Sequence, residues 1–224
     1  MRDIMRLREF QLLILANVVG SLGYGNPFLH LVPYARDQGV SKGGASLILA
    51  VVGICSLTGR VALGMLADKT GRLRTLCVSV AIMGVASILW PIVAKSFWPL
   101  IVYAALYGFN AGAFVSLPPA VAADYFGAER ISSVVGLLFC ANAIPAAIGP
   151  VICGYIFDGT GSYFGAGLLT GASLLGAVCI WMIIPKLQPE NDPSSPDAHG
   201  IADLKAASAD SPPALQLSSS GSVS

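Results

Sequence analysis

Six long apolar runs constrain this chain more than any other feature. They cover about Phe10 to Tyr34, Gly43 to Ala67, Leu73 to Val93, Trp98 to Leu117, Ile131 to Phe157 and Tyr163 to Ile184. A helix crosses the hydrocarbon core of a bilayer in about 20 residues. Backbone groups in lipid must be satisfied internally, and the alternation of a membrane barrel is absent, so each run is predicted to be a helix. The expected fold class is an all-α membrane protein, a bundle of six transmembrane helices with short connections. Composition agrees: 55% of residues are hydrophobic and 11% charged, with mean hydropathy +0.73. A soluble domain carries roughly 25% charged residues.

The sequence divides into a cytoplasmic N-terminal segment (1–9), the six-helix bundle (10–184) and a tail (185–224). The tail is rich in Ser, Pro and Ala, has no periodicity, and is expected to be disordered and cytoplasmic. The orientation follows from basic residues. Arg2, Arg6, Arg8, Lys69, Arg72, Arg74, Arg130, Lys186 and Lys205 fall on one side, against Arg36, Lys42 and Lys95 on the other. That excess places both termini in the cytoplasm of a multi-pass membrane protein, and leaves open which membrane it is. The opening residues lead into a run too long for a secretory leader. A net charge of +1 gives no case for a nucleic-acid partner. The five cysteines lie within apolar runs and form no CxxC pair, so neither a disulfide framework nor a metal site is implied. No cofactor motif occurs. Glycine and proline recur inside the spans, at Gly20, Gly23, Gly25, Pro27, Gly108, Gly112, Pro145, Gly149, Pro150 and Gly154. Small residues admit close helix packing and prolines kink helices.

Arg60 is the ionisable residue well inside a span. An arginine in hydrocarbon costs about 3 kcal/mol or more, which marks a site unless the side chain snorkels to the surface. Gly53, Ser56, Arg60, Gly64 and Asp68 recur at spacings of three and four, so they share one face of the second helix. That small, polar face is expected to look into a bundle or cavity. A guanidinium there offers a planar donor fork suited to a carboxylate, and it cannot carry a proton near neutral pH. The turn that follows, Asp68-Lys69-Thr70-Gly71-Arg72, reads as a compact helix-hairpin latch in which Gly71 permits positive φ.

Gly64-Met65-Leu66-Ala67-Asp68-Lys69-Thr70-Gly71-Arg72 resembles the cytoplasmic signature loop of the major facilitator superfamily. Three further stretches narrow the resemblance to the monocarboxylate transporter family. Gly23 to Phe28, followed by Tyr34 to Ser41, is similar to that family's seventh helix and outer loop. Tyr107 to Leu117 is similar to its tenth, and Gly149 to Tyr163 to the end of its eleventh and the loop beyond. The resemblance covers about Phe10 to Ile184 and implies one half, the C-terminal six helices, of a major facilitator fold. It implies transport of a small organic anion by alternating access, as part of a secondary carrier rather than an enzyme. Arg60 matches the arginine by which the family binds the substrate carboxylate. Phe109 falls in the stretch lining the substrate path. Asn110, its neighbour, could donate to substrate or bridge helices. Tyr24, Asn26 and His30 lie in the broken outer part of the first helix.

One departure stands out. Animal members of the family carry an aspartate, implicated in proton coupling, one turn before the arginine, and here that position is Ser56. Serine cannot release a proton or neutralise Arg60. Exchange of one organic anion for another needs no carboxylate there, and a different substrate or a proton carrier in another half fits as well. The substrate site then consists of Arg60, Phe109, Asn110, Ser56 and Tyr24, and the latch of Gly64, Asp68, Gly71 and Arg72. The expected partners are a small organic anion, the lipid bilayer, and either a missing N-terminal six-helix half or a second copy. The rival reading is a non-transporting six-helix membrane protein, a receptor or regulatory half acting through its tail. An intramembrane enzyme is disfavoured, because the spans hold no paired carboxylates, no His-metal cluster and no Ser/His arrangement.

Overall fold

The computed structural model describes residues 8–126 and 131–184. The expectations for the first residues, for Arg130 and for the tail from 185, with Lys186 and Lys205, lie outside the described residues. The elements are α1 (Arg8–Tyr24), α2 (Asn26–Asp37), α3 (Lys42–Thr70), α4 (Arg72–Val93), α5 (Phe97–Phe126), α6 (Ile131–Thr160) and α7 (Phe164–Ile183). The described residues contain no strand. With α1 and α2 as two parts of one span, they form six helices long and apolar enough to cross a membrane.

Local sequence sets the interruptions. Between α1 and α2 the chain passes through Gly25 into Asn26-Pro27. Pro27 has no amide hydrogen, so the carbonyl of Gly23 loses its helical donor. The Ser41 side chain caps α3 by accepting from the Gly44 amide at 3.2 Å. Gly71 alone separates α3 from α4, with φ +97°, a backbone conformation that favours glycine.

One boundary differs from the sequence expectation. The fourth run was expected to end at Leu117, yet α5 continues through Pro118 and Pro119 to Phe126. The two prolines remove two backbone donors. Burial of Leu117, Pro118, Val121 and Ala122 against the bundle carries the helix past them.

The tightest pairing is α3 with α5; α1 with α7, α4 with α7 and α4 with α5 follow. In lipid, apolar burial drives helix association weakly, so close approach at small residues does more of the work. The α3–α5 seam fits this. Gly59 of α3 lies against the Phe109 carbonyl, and Gly108 of α5 against the Val52 backbone. A Cβ on Gly112 would sit 2.5 Å from the Ser56 carbonyl oxygen and 2.6 Å from the Arg60 amide nitrogen. By contrast α6 is barely covered, with 11% of its most apolar window buried, against 61% for α5.

Candidate functional site

Arg60 lies ten residues before the end of α3, about 15 Å along the helix axis from Thr70. Its side chain is exposed, and among the described residues it makes no hydrogen bond or ion pair. The buried stripe of α3 is Ala45, Ile48, Val52, Ser56, Gly59, Leu63 and Ala67. The face expected from sequence therefore divides. Ser56 belongs to the stripe packed on α5, while Gly53, Arg60 and Asp68 lie on the open side and Gly64 at its border. The physical reason is size. The smallest residues, Gly59 and Ser56, accept the α5 backbone, and the seam they form turns Arg60 away from the packed helices.

Tyr24 sits at the end of α1, just before the break, and is half-buried. Its ring stacks on Phe114 at 4.7 Å between centroids, and Phe28 lies beside it at 5.6 Å. The Tyr107 hydroxyl donates to the Tyr24 carbonyl at 2.8 Å. Tyr107, Asn110 and Phe114 recur at helical spacing on α5, so they share the face that meets Tyr24. Asn110 is buried, and its amide donates to the Leu106 carbonyl of its own helix at 2.9 Å. Phe109 is half-buried, with its carbonyl pressed on Gly59. Ser56 is buried at the same seam, with its carbonyl against Gly112.

Behind this site the two parts of the first span are fastened to α6 and α7. The Asn26 side-chain amide donates to the Thr170 hydroxyl at 2.8 Å. Gly149 of α6 lies against the Leu22 carbonyl, and Gly23 against Ser173 of α7. Thr170 and Ser173 were not singled out from sequence. Two polar residues within the apolar sixth run were the available signal.

At one end of the bundle Arg72 joins three elements. Its Nη2 lies 3.3 Å from Asp68 Oδ1, its Nη1 lies 2.7 Å from Asp124 Oδ1, and Nη1 also donates to the Ala120 carbonyl at 3.3 Å. The turn expected from Asp68 to Arg72 is reduced to Gly71 alone, with Asp68 in the last turn of α3 and Arg72 opening α4. The carboxylate that reaches Arg72 from α5, Asp124, was missed, because that residue fell beyond the expected end of its helix.

At the opposite end, aromatic rings gather around Tyr34. Trp90 lies 4.3 Å and Tyr163 5.1 Å from it between centroids. The Tyr163 hydroxyl donates to Asp37 at 3.3 Å. Burial first, then the Asp37 charge and this hydrogen bond, push the Tyr163 phenol up to about 12. Among the described residues no group of His, Cys, Asp or Glu side chains is arranged to hold a metal ion.

A family model described as Major Facilitator Superfamily matches residues 13–220. Monocarboxylate transporter 12-B of Danio rerio is 31% identical over 159 residues, which is 69% of this chain and 33% of that protein. Monocarboxylate transporter 2 of Homo sapiens is 32% identical over 186 residues, which is 81% of this chain and 38% of that protein. The chain therefore spans little more than a third of the length of these curated relatives. The crystal structure of the E. coli fucose:proton symporter shares the fold. Its TM-score is 0.67 at 15% identity, and the match covers 83% of this chain and 45% of that one. These relatives are carriers rather than enzymes. With six apolar helices of membrane length and these matches, the chain is an integral, multi-pass membrane protein that belongs to the Major Facilitator Superfamily and is similar within it to the monocarboxylate transporters.

Proposed function

We propose that this chain forms one six-helix half of a secondary carrier that moves a small organic anion by alternating access, with Arg60 receiving the substrate carboxylate. The observation that carries the reading is the state of Arg60. Its guanidinium lies within a span, on the open side of α3, with no hydrogen bond or ion pair among the described residues. A charge held there costs about 3 kcal/mol or more, which a substrate carboxylate paired with the planar fork would offset. The names of the monocarboxylate transporters support an anionic substrate. Tyr24, Phe109, Asn110 and Ser56 complete the site in this reading, and the turn from Gly64 to Arg72 latches one end of the cycle at the cytoplasmic side. The other wall of the cavity comes from a second six-helix half. Because Ser56 brings no carboxylate to neutralise Arg60 between substrates, replacement of one anion by another is the mode this site suits.

The test is uptake of labelled small carboxylates by the carrier that contains this chain, with expression matched. Arg60→Ala should lower uptake more than about tenfold, since a charge-assisted pair contributes about 1.5–3 kcal/mol. Arg60→Lys should recover only part, because an ammonium keeps the charge without the fork. Undiminished uptake by Arg60→Ala would sink the proposal.

A further inference from the structure

At the end of the bundle opposite Arg72, the aromatic cluster around Tyr34 opens into a cavity of about 440 Å³, within the size range of small-molecule sites. Three spans and the turns that leave them supply most of its wall. Tyr34 and Asp37 come from α2, Lys95 from the turn after α4, and Phe157 and Tyr163 from the end of α6 and the turn beyond it.

Two opposite charges line this one cavity and do not pair with each other. The Tyr163 hydroxyl donates to Asp37 Oδ2 at 3.3 Å, which leaves Oδ1 able to accept. The Lys95 ammonium makes no hydrogen bond or ion pair among the described residues, whose ion pairs both belong to Arg72. Much of the remaining wall is aromatic. The rings of Phe157 and Tyr163 lie 4.2 Å apart between centroids, and Tyr163 lies 5.1 Å from Tyr34. Such rings cover an apolar body and attract an ammonium to their faces. The Tyr34 hydroxyl already donates to the Pro91 carbonyl, so polar recognition falls to Asp37 and Lys95. An adjoining cavity of about 400 Å³, around Val40, Gly44 and Phe97, has no charged side chain in its wall. Opposed charges, not size, set the first cavity apart.

Those charges select the ligand. A simple amine would meet Asp37 but also the like charge of Lys95. A simple carboxylate would meet Lys95 but also the like charge of Asp37. Juxtaposed like charges weigh against binding. A molecule that carries both groups satisfies both side chains, and the flexible stem of Lys95 can follow its carboxylate.

We propose that this cavity binds a small zwitterion, an α-amino acid with an apolar side chain. Its ammonium meets Asp37 Oδ1, its carboxylate meets Lys95, and its side chain lies against Tyr34, Phe157 and Tyr163. No residue of α3 lines the cavity, so the site is separate from Arg60 and does not rest on the transport reading.

The experiment uses the carrier that contains this chain, purified in an uncharged maltoside detergent. Saturation-transfer NMR compares three probes with one apolar body: leucine, 3-methylbutylamine, which lacks the carboxylate, and 4-methylpentanoate, which lacks the ammonium. Asp37 and Lys95 are exposed, so each charged end should contribute modestly. Leucine should bind about threefold more tightly than either analogue. Asp37→Asn should bring leucine and 4-methylpentanoate to equal affinity, and Lys95→Gln should do so for leucine and 3-methylbutylamine. A merely structural role for either residue would weaken all three probes alike. Arg60→Ala should leave the three affinities unchanged while lowering carboxylate uptake. Equal binding of the three probes by the parent, no leucine binding, or selectivity that survives both substitutions overturns the proposal. Tighter binding of glycerophosphocholine than of leucine would assign the cavity to a lipid headgroup and overturn it too. Loss of leucine binding in Arg60→Ala would place the ligand at the transport site instead, against this proposal and not against that reading.

Discussion

The α3–α5 seam can be tested at Gly112, because the contact there is backbone against backbone. A Cβ built on Gly112 lies 2.5 Å from the Ser56 carbonyl oxygen, 2.6 Å from the Arg60 amide nitrogen and 2.9 Å from the Gly59 carbonyl carbon. Real Cβ contacts essentially never fall under 3.0 Å, so α3 and α5 must part by about half an ångström before Gly112→Ala fits. No flexible side chain end can absorb this. Overpacking of this kind costs about 1–3 kcal/mol. Alanine in place of a helical glycine returns about 0.5–1 kcal/mol of backbone entropy. The net expectation is a loss of about 0.5–2 kcal/mol. Gly53→Ala is the matched control on α3, since nothing lies within 4 Å of its Cβ position, and it should gain about 0.5–1 kcal/mol. The two variants should thus move in opposite directions in thermal unfolding of the purified protein in detergent. Because Gly112 presses on the Arg60 amide itself, Gly112→Ala should also raise the carboxylate concentration needed for half-maximal uptake, and Gly53→Ala should not. Equal stability and equal uptake of the two variants would refute the idea that this seam sets the position of Arg60.

At the other two ends of the bundle the expectations are simpler. Arg72→Lys should loosen the junction of α3, α4 and α5, because an ammonium cannot span Asp68, Asp124 and the Ala120 carbonyl together as the guanidinium does. With the partners half-exposed the loss in stability should be about 1 kcal/mol, read by thermal unfolding, and Asp124→Asn should give a similar loss. No change in either variant would show that the cluster contributes nothing to holding those helices. Tyr163 bears on alkaline stability. Its phenol is pushed from the ordinary 10.0 to about 12. A raised value means that the folded state favours the neutral phenol, so the contribution is fully present below about pH 10 and is lost as pH rises through 12. Tyr163→Phe should therefore flatten the fall of stability between those values and remove one phenolate signal from the ultraviolet titration in the same window; an unchanged titration would count against the Asp37 bond.

The number and limits of the spans were legible because hydropathy and the bilayer's thickness set them, and α3, α4, α6 and α7 begin and end within a few residues of expectation. The end of α5 was not, because the Pro118-Pro119 pair that directly follows Leu117 lies inside the helix, with Val121 and Ala122 beyond it still buried. The Arg60 neighbourhood was legible as a charge in an apolar run, and the Gly71 turn as a glycine between two helices. What sequence spacing could not decide was which edge of α3 would meet α5. Ser56 and Arg60 are one turn apart and looked equivalent. Their fates separate through Gly108 and Gly112, residues of a distant run whose lack of side chains lets α5 settle on Ser56. Likewise nothing in the spacing of Thr170 and Ser173 marked them, and only the packing of Asn26 and Gly23 against them gives them a role.

The two least covered helices, α3 and α6, make different demands. The open face of α6 carries Ile144, Val151 and Tyr155, and that of α3 carries Ile54, Leu57, Val61 and Met65. Lipid tails solvate such side chains as well as a protein would, so their exposure asks for no partner. Arg60 stands among the α3 residues and is not solvated by lipid at all. The glycine seam on the opposite side of α3 leaves no room for the helix to rotate the guanidinium inward, since Gly59 and Ser56 are pinned by α5 backbone. Among the described residues no side chain pairs with that charge. In the transport reading proposed above, a substrate anion meets it in a polar cavity bounded on one side by α3, unless the long side chain reaches the membrane surface.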